Sequence, residues 1–262
     1  SMIISSSRIR DVVEPLLDPE LEHVRAIRSG TKSLAFWPYR FLTDDDADDL
    51  LRLFEEIRRT GRQITVMAHF SHPRELETRA VEDAIRRVRD TGVVIRTQSP
   101  IVRHVNDRAE VWSEMWRRQV ALGAVPYYLF IERDTGPKHY FQVPLARALR
   151  ILTAAYSDVS GLARTVRGPS MSATPGKVLV DGVTTIHGER FFVLKMIQAR
   201  DPDWVNRVFF ARFDSQATWL DDLVPAFGEH QFFFDPYLCA MAEGTWRPDW
   251  VGTDDHSEQL TA

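Results

Sequence analysis

A chain of 262 residues and 30.2 kDa, 44% hydrophobic and 27% charged, can bury a large core, as one α/β domain or as a domain with an extension. A net charge of −4 and a pI near 6.1 supply no electrostatic footprint for nucleic acid or an anionic membrane. The lone Cys239 excludes a disulfide framework and a thiolate metal cage within one chain. With no membrane-length apolar run and no signal-peptide order, the expected location is the cytoplasm.

In chain order, 8–18 reads as a helix kinked or ended by Pro15, and 23–31 as a strand running into a Gly30 loop. Residues 44–61 read as a helix, with acids in the first turn and arginines in the last to complement the macrodipole. Strand-like 63–70, helical 72–92, strand-like 93–100, helical 106–123, strand-like 125–132 and helical 143–158 come next. Strand then helix with short connections predicts a parallel sheet with helical crossovers. The few polar interruptions suggest strands covered on both faces, and the preferred fold is α/β, a partial (β/α) TIM-type barrel, with an open doubly wound sheet as the alternative. Chemistry is then expected at the carboxyl ends of the strands. The pattern predicts a barrel part over 1–158, a β-rich carboxyl-terminal extension over 159–244 and a polar tail over 245–262.

Several strand ends carry polar groups. "AHFSHPRE" (68–75) offers His69 and His72 as a metal or proton-transfer pair, or else one loop hydrogen bond and a helix start. "TQSPIVRHVND" (97–107) offers Gln98 and Ser99 to a polar small molecule, with Asn106 or Asp107 as a cap for the next helix. "IERDTGPKHYF" gathers Glu132, Arg133, Asp134, Lys138 and His139, a solvated loop or a reader of charged substrate. In "GPSMSATPGKVLVDG" (168–182) Lys177 comes directly after a Pro-Gly turn. It is either an exposed lysine at the start of a strand or one that carries an aldehyde cofactor as a Schiff base, which needs a buried amine of depressed pKa. No glycine-rich phosphate fingerprint and no Ser-His-Asp order stands out.

Taken together, "RSGTKSLAFWPYRFLT" (28–43), "AHFSHPRE", "TQSPIVRHVND", "PYYLF" (126–130), "HYFQVPLARAL" (139–149), "SGLA" (160–163) and "PGKVLVDG" (175–182) occur in an order that resembles the lysine 2,3-aminomutases and their relatives. These are radical S-adenosylmethionine enzymes that use pyridoxal phosphate. The resemblance covers roughly residues 14 to 182. It implies that Lys177 forms the Schiff base with pyridoxal phosphate. It also implies that His69, His72, Gln98 and Ser99 face S-adenosylmethionine, and that the activity is amino-group migration on an amino acid or amine.

The chain departs from that family in three respects. A CxxxCxxC loop that holds a [4Fe-4S] cluster in the family has no counterpart here, since Cys239 cannot ligate a cluster alone. "MIISSSRIRDVVEPLL" resembles the family segment just after a Gly-Gly-Asp-Pro-like motif, so the chain is expected to begin past that motif, as an incomplete or truncated form. A barrel lacking its first strands exposes an edge, so a homo-oligomer or pairing with a missing amino-terminal part is expected. Of two aspartates that hold the substrate's distal ammonium in the family, one position carries Arg133, with Asp134 beside it, and the other has no acid. Lysine is therefore not the expected substrate. Two other readings stand beside this one: a non-catalytic or partner-dependent module that binds pyridoxal phosphate or adenosyl compounds, and a metal-dependent hydrolase using His69 and His72.

Overall fold

The computed structural model of the chain describes residues 2–133 and 136–245, with Lys138 described by its backbone alone. Its strands form one eight-stranded sheet in simple sequence order. The strands β1 (Ala26–Thr31), β2 (Gln63–His69), β3 (Val94–Ile101), β4 (Val125–Ile131) and β5 (Arg167–Ala173) run parallel. From there β6 (Gly176–Ile186), β7 (Glu189–Ala199) and β8 (Val208–Arg212) alternate in direction. The ends β1 and β8 do not pair, so the sheet is open and has the form of a partial barrel. It is continuous across residue 158.

The helices are α1 (Ser6–Val13), α2 (Ser33–Phe36), α3 (Ala47–Arg59), α4 (Arg79–Asp90), α5 (Ala109–Ala121), α6 (Lys138–Phe141), α7 (Leu145–Ser157) and α8 (Asp235–Ala242). The crossover helices bury one stripe each: Leu50, Leu53, Phe54 and Ile57 on α3, and Val81, Ala84, Ile85 and Val88 on α4. The 3.6-residue repeat puts those side chains on one side, and burying them against the sheet is the main stabilising force. On α5 the buried stripe includes Trp112 and Trp116, and Gln119 accepts the Thr97 hydroxyl of β3 at 2.7 Å.

Burial alternates along β3, with Ile95, Thr97, Ser99 and Ile101 under the helices and Arg96, Gln98 and Pro100 half-buried on the other side. The expectation of strands covered on both faces therefore fails. Helices cover one face, and the other is open enough to carry arginines.

The helix expected over 72–92 divides, because Thr78 accepts from Val81 N–H and caps a new start at α4. The helix expected from 106 begins at Ala109, and neither Asn106 nor Asp107 caps it. Asn106 is fully buried instead. Its Oδ1 accepts from Val102 N–H at 2.7 Å and its Nδ2 donates to Ser71 and Pro100 carbonyls at 3.0 Å each. It ties the loop after β2 to the loop after β3.

Strand β5 lies in a stretch for which the sequence predicts no individual strand, because Gly168, Pro169 and Ser170 are poor strand formers. Tertiary contact decides: a Cβ on Gly168 would stand 2.5 Å from the Leu129 carbonyl oxygen, so only glycine lets β5 approach β4. Gly176 serves the same purpose in the β5–β6 hairpin. Its φ is +148°, and a Cβ there would stand 2.2 Å from the Gln198 carbonyl oxygen of β7.

Gly176→Ala is accordingly expected to destabilise the protein by about 1–3 kcal/mol. Gly182→Ala on the same strand, where a Cβ meets nothing within 4 Å, is expected to cost far less. Urea unfolding of the two variants measures the difference, and equal stabilities would contradict it.

Candidate functional site

The pleat places Arg28 and Gly30 of β1, His69 of β2, Arg96 and Gln98 of β3 and Tyr128 and Phe130 of β4 on the open face. Register aligns His69 with Gln98, Gln98 with Tyr128, and Tyr128 with Arg167. The hairpin turn then brings Lys177 back over this row. Its Nζ lies 4.2 Å from the Tyr128 ring centre and 5.1 Å from that of Phe130, and those two rings stack at 4.9 Å.

Lys177 is therefore at the start of a strand, as one reading expects, but it is not freely exposed. It is the second residue of β6, paired with Ser172 of β5, and half-buried. Burial pushes its amine below the ordinary lysine value, and the guanidinium groups of Arg28, Arg167 and Arg133 add to that, while Tyr127 opposes it. A lysine in this state has a larger neutral, nucleophilic fraction near neutral pH.

A second cluster of charge surrounds Tyr127, which the register shift between Thr97 and Gln98 leaves unpaired. Arg96 lies 4.6 Å and Arg167 5.3 Å from its ring centre. Among the described residues, Arg28, Arg96 and Arg167 have no carboxylate partner. The Arg96 and Arg167 guanidinium groups converge on one aromatic ring, an arrangement that suits a phosphate or carboxylate.

His69 sits at the rim of this face. Its Nε2 and the Ser71 hydroxyl are 3.1 Å apart, and Ser71 also accepts from Lys32 Nζ at 3.1 Å. Burial, reinforced by Lys32, pushes His69 down to about 4, so the imidazole is neutral at physiological pH. His72 is used differently. Its Nδ1 accepts from Arg74 N–H and its own N–H donates to Glu75, capping the turn over Pro73–Leu76. The two histidines do not act as a pair, and no group of three or more His, Cys, Asp or Glu able to hold a metal occurs among the described residues.

Gln98 shares the open face with His69, whereas Ser99 does not. Alternation turns Ser99 under the helices, where it is buried and donates to the Pro100 carbonyl at 3.1 Å. Arg133, just past β4, lines a cavity with Lys177. Asp134 lies outside the described residues. Glu132, two positions before it, has a carboxyl pushed up by burial and one buried oxygen, Oε2, with no hydrogen-bond partner among the described residues.

Sequence reasoning missed Arg28, Arg96, Arg167, Tyr127, Tyr128 and Phe130 as parts of the site. A signal for the first two was present, since Arg28 follows Ile27 in β1 and Arg96 follows Ile95 in β3, so each falls on the face opposite to its apolar neighbour. Arg167 had no such signal, because only the pairing of β5 with β4 and the hairpin after it bring it near Lys177.

The fold and site thus define an open, largely parallel α/β sheet with a lysine of depressed pKa over an aromatic and arginine-rich face. No family model matches the chain. It is 31% identical over 231 residues to a protein of Aquifex aeolicus (strain VF5) provisionally named an L-lysine 2,3-aminomutase, across 88% of this chain and 59% of that relative. It is 24% identical over 162 residues to the L-lysine 2,3-aminomutase of Clostridium subterminale, across 62% of this chain and 36% of that enzyme. The chain is a homologue of proteins named lysine 2,3-aminomutase, which bears out the family resemblance. It spans little more than half the length of the first relative. Residues 1–182 cannot supply 231 aligned residues, so the first match runs on into the antiparallel strands. A radical SAM methyltransferase from Sphaerobacter thermophilus overlays with a TM-score of 0.35 at 15% identity, across 63% of this chain and 57% of that one, which is too distant a likeness to define the fold. No described helix is long and apolar enough to cross a membrane.

The His69 shift has a measurable consequence. Between its ordinary value of 6.5 and about 4, the unfolded chain binds a proton that the folded chain refuses, so stability falls as pH drops through this window. His69→Gln is expected to lose less stability than wild type between pH ~7 and ~4.5 in urea unfolding. An identical loss in the two proteins would show that His69 is not held neutral.

Proposed function

We propose that this chain carries the pyridoxal-phosphate half of an aminomutase-like site, with Lys177 as the cofactor lysine and an amino acid or amine as ligand. The observation that carries the reading is the Lys177 amine, pushed to a lower pKa by burial and held against the rings of Tyr128 and Phe130. The residues present fit the cofactor: an amine of raised nucleophilicity to hold its aldehyde carbon, aromatic rings beside that amine, and Arg28, Arg96 and Arg167 as charge for its phosphate. When bound, pyridoxal phosphate supplies a conjugated π-system that stabilises an unpaired electron or negative charge next to the substrate nitrogen.

The chain's own residues divide the remaining work. The Lys177 amine would hold the cofactor and, when free, would hold or release a proton beside the ligand nitrogen. The stacked rings keep water from one side of that amine. The neutral His69, with Gln98 in register beside it, offers uncharged polar contacts to an adenosyl compound on the same face. Kinship with proteins named lysine 2,3-aminomutase supports amino-group migration as the activity of the whole assembly, with S-adenosylmethionine as the expected co-reactant.

The iron–sulfur cluster of that family does not fit this chain. Its single cysteine, Cys239, is exposed on α8, a helix beyond the last strand of the sheet. This favours a second reading in which the chain is a cofactor-binding module that depends on a partner for cluster ligands.

Protein mixed with pyridoxal phosphate is expected to develop an absorbance band near ~420 nm, characteristic of a protonated imine. Lys177→Ala should lack the band while remaining folded by circular dichroism. A band of equal strength in the variant, or no band in either protein, overturns the assignment.

A further inference from the structure

The segments that follow β1, β2 and β3 meet at one serine. Ser71 N–H donates to Glu75 Oε2 at 2.6 Å, and its carbonyl accepts from the Asn106 amide at 3.0 Å. Asn106 is fully buried in the loop after β3, so the serine backbone is fixed from both sides. The Ser71 hydroxyl meets two further groups, Lys32 Nζ at 3.1 Å and His69 Nε2 at 3.1 Å. Lys32 follows β1, and its charge also lies 3.9 Å from Glu75 Oε1.

These contacts decide which ring nitrogen of His69 carries the hydrogen. An ammonium has three hydrogens and no lone pair, so Lys32 must donate to the Ser71 oxygen. The hydroxyl keeps one hydrogen and one lone pair for His69. A protonated Nε2 would point its N–H at an oxygen that already faces an ammonium, and the hydroxyl hydrogen would have no acceptor among the described residues. With a bare Nε2, the chain runs from Lys32 to Ser71 to His69 with every group used, and each bond polarises the next. The field of the ammonium also favours a lone pair over an N–H on the ring atom that faces it.

The other ring nitrogen is then the one left for a ligand. Nδ1 has no hydrogen bond among the described residues and is not sealed from solvent. His69 lies on the open face with Gln98 in register beside it. Burial, and to a lesser degree Lys32, keeps the ring neutral. A neutral imidazole with a bare Nε2 has its hydrogen on Nδ1 and can only donate there.

We infer that Ser71, held by Lys32, is a positioning residue that fixes His69 in its Nδ1–H form, so that the ligand group beside His69 must be a hydrogen-bond acceptor. The ligand half of the inference rests on the reading of this face as the seat of an adenosyl compound, whereas the form of the ring does not depend on it. Such a compound has acceptors in its ring nitrogens, its ribose oxygens and any carboxylate it carries. An amino group or ammonium placed there would meet an N–H instead of a lone pair, which sets the orientation of the ligand by exclusion. Gln98, whose amide can donate or accept, makes no such choice.

The test is nitrogen NMR of the free protein, in which protonated and bare ring nitrogens resonate far apart, with His69 assigned by its absence from His69→Gln. Wild type is expected to show His69 with Nδ1 protonated and Nε2 bare near neutral pH. Ser71→Ala should move it towards the Nε2–H form that histidine prefers in water, and Ser71→Thr, which keeps a hydroxyl, should retain the wild-type form. Lys32→Met should also admit the Nε2–H form, because the hydroxyl oxygen is then free to accept. An Nε2–H ring in wild type, or a form unchanged in Ser71→Ala or in Lys32→Met, overturns the inference. Binding of S-adenosylhomocysteine, followed by calorimetry, should weaken ~5-fold in Ser71→Ala, the size of one neutral hydrogen bond, and an equal affinity overturns the ligand half. Adenosine titrated alongside shows whether the acceptor lies in the nucleoside or in the amino-acid part. Failure of both compounds to bind wild type, with the ring in its expected form, would count against the adenosyl reading of this face and leave the role of Ser71 standing.

Discussion

Everything in this molecule that bears on chemistry depends on one reversal of strand direction. Five parallel strands with helices on one side leave the other face open. The chain then turns at Thr174-Pro175 and sends β6 back antiparallel, which lays Lys177 over the rings of Tyr128 and Phe130 two strands away. The start of β6 lies against β7 only because Gly176 has no Cβ to strike the Gln198 carbonyl, and β5 reaches β4 only because Gly168 has none to strike that of Leu129. Remove either close approach and the lysine is parted from its ring neighbours.

That geometry sets the electrostatics. A lysine on a solvated strand end would keep its ordinary pKa and do little. Here burial and three guanidinium groups act in one direction on the amine, with Tyr127 opposing them. Arg28 and Arg167, which depress the amine, are also among the groups able to hold anionic parts of a ligand, so reactivity and recognition share one origin. His69 obeys the same logic at the rim, where burial and Lys32 keep it neutral.

The parallel part of the sheet was legible in the sequence because strand and helix periodicities alternate cleanly there, and β1 to β4 fall close to where apolar runs place them. Lys177 was legible through family resemblance, since neither Pro175-Gly176 nor the apolar run after it reveals burial. The antiparallel strands of 176–186, 189–199 and 208–212 were visible as apolar runs, whereas β5 was hidden by its glycine, proline and serines. The cationic face was also hidden. Arginines in strands read as exceptions one at a time, and only register shows that Arg96 and Arg167 share a ring. Asn106, read as a helix cap, is a buried strut between two strand-end loops, because its amide finds three backbone partners there. His72, read as a possible ligand, commits its Nδ1 to a cap.

Among the four lysines, only Lys177 is expected to be held as a reactive amine. The most direct measurement is reduction of the protein with borohydride in the presence of pyridoxal phosphate, followed by mapping of the modified peptides by mass spectrometry. A pyridoxyl adduct on Lys177 is expected at stoichiometric cofactor, with Lys32, Lys138 and Lys195 largely unmodified. Label spread evenly over the four, or absent from Lys177, would contradict it.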